Sequence, residues 1–513
     1  MPFASKKQRR LPRTGVLRET LRAKGQFWTP DWIADVMVAY VLQDRPNQLL
    51  DPALGEGAFF RAAKRYAQVS RLNLTLIGRD VDADVLIRAK NSGLDDEDLR
   101  HVEIRDFILD SRQDVFPAII ANPPYIRHHR ISTSLKSQLG DFARKMTGRH
   151  IDGRAGLHVY FLIRALNALA SGGRLAYIVS ADICEGIFTH ALWQWICSLY
   201  KLDAVITFKS KITPFPDVDT NALVFLIQNE KPTAQFDWIE CDDRDPLGLI
   251  AVVTGQQGMQ LPRIKVHRRS LSEGLSTGLS RPPTDCCTQF TLGDFASVMR
   301  GIATGANDFF FMTHARAKEL GIPDYLLVKA IGRTRDVQGE TIDQIDLERL
   351  EASKRPTRLI SIGDLPLHDL SLSVQKYLKV GEKIGLPSRA LIMTRKPWYR
   401  MERREVPPFI FAYLGRRSAR FIRNRASVVP LTSFLCVYPH HNSKEFNKQL
   451  WNVLSNPETI ANLRKVGKSY GGDAIKVEPR ALERLPLPDA LVFKERLDRY
   501  VAPKQRTLGL ELQ

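Results

Sequence analysis

Residues 49–59 read LLDPALGEGAF, and this stretch decides the fold of the first half of the chain. An apolar run ends at Leu50, the glycines Gly55 and Gly57 follow, and a helix-forming run begins at Ala58. Glycine lets the backbone turn tightly between a strand and a helix and pass close to a ligand. A strand, a glycine-rich turn and a helix in this order predict the first unit of an α/β sheet.

The alternation of strand and helix continues as far as about Ile227. Short apolar runs predict strands at 74–78, 118–121, 175–179 and 222–227, and helical stretches lie at 83–89 and 158–169. The glycine pair 172–173 is expected to end the second helix. Strands that alternate with helices predict a Rossmann-like, doubly wound and mostly parallel sheet with helices on both faces. Such sheets bind ligands beyond the carboxyl ends of their strands.

Length and charge indicate several domains and a polyanionic partner. A chain of 513 residues exceeds one ordinary core, and Pro-, Gly- and Ser-containing stretches interrupt the strand–helix rhythm after about residue 229. We therefore expect a basic arm at 1–24, an α/β domain at 25–240 and a further domain at 241–513. The net formal charge of +19 favours nucleic acid as the partner.

Cysteine usage and hydropathy exclude several classes of protein. The six cysteines show no CxxC pairing, which argues against a zinc site or a disulfide framework and predicts a reducing cytoplasm and no metal. The basic arm lacks the apolar core of a signal peptide, and no apolar run is long enough to span a bilayer. We therefore expect no membrane association.

The glycine turn and two acidic strand ends predict a site for a nucleoside-containing cofactor. Glycine turns also occur in dinucleotide enzymes, but the spacing here is GxG rather than GxGxxG, and the GK[ST] of a Walker loop is absent. Asp80 follows the second predicted strand, where a carboxylate accepts hydrogen bonds from both ribose hydroxyls. Asp106 and Phe107 follow the third unit and offer an acceptor and an aromatic face for an adenine ring.

Asn122-Pro123-Pro124-Tyr125, which follows the strand at 118–121, is the most specific motif in the chain. An amine conjugated to an aromatic ring is a poor nucleophile because its lone pair is delocalised. The Asn side-chain oxygen and a backbone carbonyl, which two prolines hold in place, can accept hydrogen bonds from that amine and favour a tetrahedral nitrogen. Tyr125 provides a stacking plane for a base rotated out of a helix. The motif predicts methyl transfer to nitrogen without a covalent nucleophile.

Together these motifs resemble the catalytic domain of the gamma-class N6-adenine DNA methyltransferases of restriction-modification systems, over residues 25–228. The resemblance implies a class I S-adenosylmethionine-dependent methyltransferase fold followed by a C-terminal α+β target recognition domain. It also implies S-adenosylmethionine as methyl donor and a flipped adenine in double-stranded DNA as substrate. A bacterial or archaeal cytoplasmic enzyme, monomeric on DNA and paired with a separately encoded restriction endonuclease, is the corresponding expectation.

The resemblance also assigns roles to individual residues. The residues it places at the cofactor are Thr29, Asp51, Ala53, Gly55, Gly57, Phe59, Asp80, Asp106, Phe107 and Phe161. Thr29, in the segment 25–30, is expected near the methionine carboxylate, and Phe161 is expected to pack on the adenine of the cofactor. Tyr125 and Phe215 are expected to hold the target base between them. Asp80 departs from the family pattern, in which a Glu is common.

Basic and aromatic residues alternate in the C-terminal half, at 395–400, 403–404 and 416–425. Cations suit phosphates and guanine edges, and aromatic side chains suit the nucleic-acid backbone or an emptied base site. The predicted DNA-binding residues are Arg395, Lys396, Trp398, Tyr399, Arg416 and Arg417. Residues 301–310 and 471–479 also look like segments of the recognition domains of restriction-modification methylases.

Three alternatives remain open from the sequence. Methyltransferases that act on rRNA adenine or on a protein glutamine use a similar Asn-Pro-Pro-Tyr loop, although they generally lack a long basic C-terminal domain. A non-catalytic specificity module is disfavoured by the intact Asn122 and glycine turn. A fused restriction nuclease would need a PD…(D/E)xK arrangement, and Pro323-Asp324 with Lys329 is too loose to provide one.

Overall fold

The computed structural model describes residue 25 and residues 27–184, 189–216, 221–256, 262–283, 288–412, 419–470 and 474–498. The chain forms two compact units that divide after Pro283. The predicted basic arm, residues 471–473 and the DNA-binding candidates Arg416 and Arg417 lie outside the described residues. None of the described helices has the length and apolarity that crossing a membrane requires.

Among the described residues of the first unit, nine strands form one sheet. They are β1 (Gln48–Asp51), β2 (Thr75–Asp80), β3 (Val102–Ile104), β4 (Phe116–Ala121), β5 (Leu169–Ser180), β6 (Lys201–Phe208), β7 (Ala222–Gln228), β8 (Gln235–Cys241) and β9 (Ile264–Ser270). Their order is β3-β2-β1-β4-β5-β7-β6-β8-β9, and the strands from β3 to β5 are parallel. β7 runs antiparallel to both β5 and β6. The predicted doubly wound, mostly parallel sheet is confirmed.

Helices cover both faces of this sheet. They are α1 (Asp31–Val41), α2 (Ala58–Ser70), α3 (Val85–Asn91), α4 (Thr133–Thr147), α5 (Leu157–Asn167), α6 (Thr189–Leu199), α7 (Pro246–Val253) and α8 (Leu271–Thr277). Successive strand residues point to opposite faces, so Ile119 packs in a core with α5 while Ile120 packs in a core with α1 and α2. Burial on both faces explains why the strands read as continuous apolar runs rather than alternating ones.

The glycine pair 172–173 does not end a helix, contrary to the prediction. Helix α5 ends at Asn167, and β5 begins at Leu169 and includes both glycines. Asn229, just beyond β7, accepts a hydrogen bond from the Gly172 N–H and donates one to the Gly173 carbonyl, each at 2.9 Å. Pairing with a distant strand therefore draws the glycines into the sheet, which local sequence does not reveal.

The domain boundary also differs from the predicted position near residue 240. β8 is parallel to β6, and β9 is antiparallel to β8, so both strands extend the sheet of the first unit. Cys241 and Leu249 are buried in the same core as α1. The loops rich in Pro, Gly and Ser that suggested a boundary therefore lie within the first unit.

The second unit is an α+β structure. Its strands are β10 (Ala296–Arg300), β11 (Phe311–Met312), β12 (Leu327–Ile331), β13 (Thr341–Ile342), β14 (Arg358–Ile360), β15 (Phe409–Ala412), β16 (Arg420–Asn424), β17 (Val429–Pro430), β18 (Phe434–Pro439), β19 (Lys468–Tyr470) and β20 (Ala474–Lys476). They form sheets of the order β10-β18-β15-β16-β13, β11-β14-β12-β17 and β19-β20. The predicted C-terminal α+β class is confirmed.

Eight described helices accompany these sheets. They are α9 (Asn307–Phe310), α10 (His314–Glu319), α11 (Gln344–Ala352), α12 (Leu372–Lys383), α13 (Lys444–Leu454), α14 (Pro457–Val466), α15 (Pro479–Glu483) and α16 (Asp489–Glu495). One core joins the five-stranded sheet to α13 and α14 through Phe411 and Leu450. Another joins the four-stranded sheet to α12 through Leu359 and Leu378.

Candidate active site

The carboxyl ends of three neighbouring strands bring the predicted site residues to one edge of the sheet. β2, β1 and β4 are adjacent and parallel, with Asp51 opposite Gly78 and Leu50 opposite Ile119. Asp51 and Asp80 end their strands, and Asn122 directly follows β4. The edge is where a doubly wound sheet binds its ligand.

The loop from Asp51 to Phe59, here called the glycine loop, is fixed by the second strand. Gly55 and Gly57 have φ of +55° and +72°, in the left-handed region that glycine adopts without strain. Oδ2 of Asp80 accepts a hydrogen bond from the Gly55 N–H at 3.0 Å, and its Oδ1 accepts one from the Asp82 N–H at 3.0 Å. Asp80 therefore shapes the loop, and each of its oxygens retains a further lone pair for a ligand.

Asp51 is a buried carboxyl group with an unsatisfied oxygen. Its side chain is 0% exposed, and its Oδ1 accepts a hydrogen bond from the Ala53 N–H at 3.1 Å. Oδ2 is buried without a partner. Removal from water raises the pKa of Asp51 to about 8, against the opposing effect of the Ala53 N–H, and the nearby Asp80 raises it further. A cationic group bound beside Oδ2 would favour the carboxylate.

The residues that precede α1 contact both the glycine loop and residues 122–125. Trp28 Nε1 donates a hydrogen bond to Glu56 Oε1 at 2.8 Å, and the Tyr125 N–H donates one to the Gly25 carbonyl at 3.1 Å. A Cβ added to Gly25 would lie 2.5 Å from the Tyr125 nitrogen, so only glycine permits this approach. The segment thus connects the glycine loop to residues 122–125.

The amide of Asn122 is held in one orientation. Its Nδ2 donates hydrogen bonds to the Phe27 carbonyl and to Thr29 Oγ1, both at 3.0 Å. Because the Phe27 carbonyl can only accept, the amide must present nitrogen on this side. Oδ1 is buried and has no partner among the described residues. An unpaired buried acceptor is costly, so it indicates a donor supplied by a ligand.

Three aromatic rings pack together here, and one belongs to Phe27, whose carbonyl accepts a hydrogen bond from the Asn122 amide. The Tyr125 ring lies 5.1 Å from the Phe27 ring and 6.4 Å from the Phe215 ring, both edge to face, and the rings of Phe27 and Phe215 lie 5.9 Å apart. The Tyr125 hydroxyl donates to the Ile178 carbonyl at 3.1 Å, and burial raises its pKa well above the ordinary value. The predicted pair Tyr125 and Phe215 is brought together, and Phe27 joins it.

His158 and Phe27 are members of this cluster that the sequence did not single out. The His158 ring lies 6.2 Å from the Tyr125 ring, tilted by 33°, and its Nδ1 is buried without a partner. Burial lowers the pKa of His158 to about 4, against the opposing charge of Asp182, so the imidazole is neutral at physiological pH. Phe27 lay within the quoted segment 25–30, whereas a lone histidine at a helix start gives no signal.

The residues expected around the cofactor adenine differ in burial. Phe107 and Phe161 are buried and pack against each other, with ring centroids 5.5 Å apart. Asp106 is exposed, and its Oδ1 accepts a hydrogen bond from the Leu109 N–H at 2.8 Å. Phe59, which the resemblance placed in the glycine loop at the methionine end, is buried in the core that α1 and α2 share. Contact of these residues with a cofactor stays a prediction.

The segment 395–400 of the second unit does not form the predicted groove-facing surface. Tyr399 is only 4% exposed and donates a hydrogen bond to the Leu365 carbonyl, while Trp398 packs against Phe309 and Phe310. Arg395 donates to the Ala303 carbonyl at 2.6 Å. Both aromatic side chains therefore stabilise the core of the second unit, and of this segment's four candidates only Lys396 is exposed.

Within the described part of the chain, no group of three or more His, Cys, Asp or Glu side chains is arranged to hold a metal ion.

Two family models match the chain in the order of its two units. The model of the Eco57I restriction-modification methylase matches residues 62–214, and that of the C-terminal domain of the Type II methyltransferase M.Eco57I matches residues 284–507. In both units the chain is therefore similar to the Eco57I restriction-modification methylases. The second match begins where the second unit begins, which agrees with the structural boundary.

Individual relatives extend over nearly the whole chain. The Type II methyltransferase M.AccI of Acinetobacter calcoaceticus is 25% identical, with 90% of this chain and 84% of the relative covered. M.XamI of Xanthomonas campestris pv. amaranthicola is 24% identical, with 90% and 85% covered. The Type IIL restriction-modification enzyme MmeI, solved in complex with DNA, shares the fold with a TM-score of 0.55 at 12% identity. The match covers 91% of this chain and 64% of MmeI, so the chain spans less than two thirds of that enzyme.

Proposed function

We propose that this methylase transfers a methyl group from S-adenosylmethionine to the N6 amino group of an adenine flipped out of double-stranded DNA. The observation that carries the proposal is the oriented amide of Asn122, whose buried Oδ1 lacks a hydrogen-bond donor beside a cluster of aromatic rings. In a restriction-modification system this activity protects the host sequence from a separately encoded endonuclease.

Asn122 is suited to activating an exocyclic amine. Its Oδ1 and the backbone carbonyl of Pro123 would each accept one hydrogen from the N6 amino group, which favours a tetrahedral nitrogen with an available lone pair. Because Phe27 and Thr29 already fix the amide, no reorganisation is needed when the substrate arrives. Such preorganised dipoles contribute most to a reaction in a site sheltered from water.

The aromatic cluster is suited to holding the flipped base. Unstacking a base costs a few kcal/mol, and stacking on an aromatic side chain returns about 1–3 kcal/mol per base. We assign the base to the ring of Tyr125, whose hydroxyl is anchored to Ile178, and to Phe215, which lies edge to face with Tyr125 and is 8% exposed. The neutral imidazole of His158 adds a surface next to Tyr125 that brings no charge to an uncharged base.

The glycine loop is suited to the methyl donor. S-Adenosylmethionine would supply an electrophilic methyl group on a cationic sulfur atom. Loss of that methyl group would break the sulfur–carbon bond and leave neutral S-adenosylhomocysteine, and the methylated N6 would give up one proton to solvent. The unpaired Oδ2 of Asp51 fits the cationic methionine end, and the free lone pairs of Asp80 fit ribose hydroxyls. In this proposal Thr29 acts chiefly by orienting Asn122, although the resemblance assigned it to the methionine carboxylate.

DNA is favoured over RNA or protein as the substrate by the second unit and by the charge. The second unit matches the C-terminal domain of a Type II methyltransferase, and the whole chain carries a net charge of +19. MmeI, whose fold this chain shares, was solved in complex with DNA. The second unit would act as target recognition domain, and the enzyme would work as a monomer in the cytoplasm.

Transfer of labelled methyl groups tests the substrate class. The purified chain is incubated with S-adenosylmethionine labelled in its methyl group and, separately, with plasmid DNA, total RNA or a protein extract. We expect label in DNA alone. Label in RNA or protein without label in DNA would refute the proposal, and the Asn122→Ala variant controls for a contaminating methylase.

A further inference from the structure

The segment 127–154, which joins the catalytic residues to α5, is strongly basic. It contains seven Lys and Arg residues and two Asp residues, a net formal charge of +5. It begins two residues after Tyr125, and at its far end the Leu157 N–H donates a hydrogen bond to the Ile126 carbonyl at 2.9 Å. Both ends of the segment are therefore held beside the site that would receive the flipped base.

Five of the seven cations of this segment differ from most described cations of the first unit, because no carboxylate lies within ion-pair distance of them. Elsewhere in the unit, surface cations are commonly ion-paired, as in Lys64 with Asp95 and Asp98, Arg65 with Asp35, Lys209 with Asp242 and Arg268 with Asp237. Within the described residues, five cations of the segment have no carboxylate within 4.0 Å, namely Arg127, Lys136, Arg144, Lys145 and Arg149. By contrast, Arg154 pairs with Asp152.

The fold of the segment turns these cations outward. Leu139, Ala143 and Thr147 bury one face of α4, and Gly148 ends the helix with φ of +68°. Arg127, Arg144, Lys145 and Arg149 are exposed. Arg144 and Lys145 also lie in the last turn of α4, where cations favour the helix dipole. That effect does not account for Arg127 or Arg149, which lie outside the helix.

The segment also creates a positive local potential. Burial lowers the pKa of His128, and the charges of His129, Lys136 and Arg154 lower it further, while the one opposing charge is that of Asp152. Burial is the largest cause of this shift, but most of the charged neighbours that contribute to it are cationic, which favours an anion nearby.

We propose that the segment 127–154 is a DNA-contacting surface of the catalytic unit, and that it binds the phosphates beside the flipped nucleotide. The inference rests on the proposed function. A flipped base stays attached to its own sugar and phosphates, so those phosphates must lie close to Tyr125. Successive Cα atoms are about 3.8 Å apart, which places Arg127 within about 8 Å of Tyr125 along the chain.

Duplex DNA fits this surface because its charge is dense and independent of sequence. A duplex carries about one negative charge per 1.7 Å, and each cation that neutralises a phosphate releases counterions. The slope of log Kd against log salt therefore reports the number of phosphate contacts, at about 0.9 per phosphate.

A pair of double variants tests the surface in the full chain. Arg144→Gln with Arg149→Gln removes two unpaired cations of the segment. The matched control, Arg71→Gln with Lys231→Gln, removes two exposed cations from the opposite edge of the sheet, where β2 begins and β7 ends. Binding to a 30-base-pair duplex is measured by fluorescence anisotropy at several salt concentrations.

We expect the segment variant to lower the slope of log Kd against log salt by about 2 and to weaken binding roughly tenfold at moderate salt. The control variant should keep the slope and the affinity of the wild type. An unchanged slope in the segment variant, or an equal change in the control, would overturn the inference. Tighter binding of a structured RNA than of the duplex, with the same change of slope, would overturn the assignment to DNA.

Two further measurements keep the outcomes separate. If the segment variant melts at a lower temperature than the wild type, Arg127→Gln, which lies outside α4, repeats the test with an expected slope change of about 1. Failure of the proposed function appears as absence of methyl transfer to DNA by the wild type. Failure of this inference alone leaves transfer intact and the salt slope unchanged.

Discussion

The glycine loop follows β1, and the loop at 122–125, which we propose as the catalytic loop, follows β4. The two strands are neighbouring and parallel, and each loop holds a buried oxygen without a partner. In the glycine loop it is Oδ2 of Asp51, a carboxyl group whose pKa is raised to about 8. In the catalytic loop it is Oδ1 of Asn122, an amide that does not ionise. The first loop therefore changes its charge with pH and ligand, whereas the second presents the same dipole at every pH.

This difference separates two measurable quantities. Cofactor affinity should follow the ionisation of Asp51, while methyl transfer from the bound state should follow the geometry of Asn122. His158, the titratable neighbour of Tyr125, has a pKa of about 4 and so adds no charge change near neutrality. Variants of the two loops should thus fail in different ways.

The largest effect is expected for Asn122→Ala. Loss of a preorganised hydrogen-bonding group at a reacting centre typically reduces kcat by about 10²–10³-fold. Cofactor affinity should stay within about threefold, because the glycine loop is untouched. Single-turnover methyl transfer and calorimetric binding of S-adenosylmethionine measure the two quantities. A variant that loses cofactor affinity in proportion to activity would contradict the separation of the two loops.

A smaller effect is expected for Tyr125→Ala, which removes a stacking surface worth about 1–3 kcal/mol per base. Transfer at subsaturating DNA should fall between about fivefold and 150-fold. Tyr125→Phe keeps the ring and loses the hydrogen bond to Ile178, so transfer should fall by about twofold to tenfold. Fluorescence of 2-aminopurine at the target position reports base flipping. Equal losses in both variants would show that the hydroxyl, rather than the ring, carries the effect.

The pH dependence of cofactor binding tests Asp51. A carboxyl group with a raised pKa holds its proton more tightly in the folded chain than in the unfolded chain. Its contribution to stability is therefore present below about pH 4 and is lost as the pH rises towards 8. A cationic ligand favours the carboxylate, so its binding should release the proton. Affinity for S-adenosylmethionine should rise roughly tenfold between pH 6.5 and 8 and then level.

Asp51→Asn is the matched control for this titration, because it keeps the shape and cannot ionise. Its affinity should be weaker than that of the wild type above pH 8 and flat across the same range. A wild-type protein whose affinity is equally flat would show that Oδ2 of Asp51 does not meet the cationic end of the cofactor.

The smallest effect is expected for Thr29→Val, which removes one acceptor from the Asn122 amide. A hydrogen bond of this kind contributes about 0.5–1.5 kcal/mol, so kcat should fall by about twofold to tenfold. Cofactor affinity separates the two roles of Thr29. A fall in affinity larger than the fall in kcat would favour the role at the methionine carboxylate over the orientation of Asn122.

The sheet and its ligand-binding edge were predictable from the sequence because they depend on strand pattern and backbone geometry rather than on side-chain packing. Asp51, Asp80 and Asn122 follow apolar runs, and parallel strands align their carboxyl ends whatever the side chains do. The glycine loop was predictable for the same reason, since positive φ at Gly55 and Gly57 restricts the choice of residue. Pairing between distant strands is not local, so the inclusion of the glycines 172–173 in β5 and the extension of the unit to Pro283 were missed.

The sequence did not predict which side chains of the second unit are buried and which face solvent. A cluster of Arg, Trp and Tyr has the composition of a DNA surface, yet Trp398 and Tyr399 fill a core and Arg395 binds a backbone carbonyl. Trp398 packs against Phe309 and Phe310, which lie about ninety residues earlier in the chain. The unpaired cations of 127–154 were equally hidden, because a charge run does not show whether acidic partners lie nearby.

The identity of the methylated nucleoside tests the central claim most directly. Plasmid DNA treated with the purified enzyme and S-adenosylmethionine is digested to nucleosides and analysed by mass spectrometry, with the Asn122→Ala variant treated alongside. The account predicts N6-methyldeoxyadenosine in the wild-type reaction and none above background in the variant reaction. A methyl group on cytosine, or N6-methyldeoxyadenosine formed equally by the variant, would contradict it.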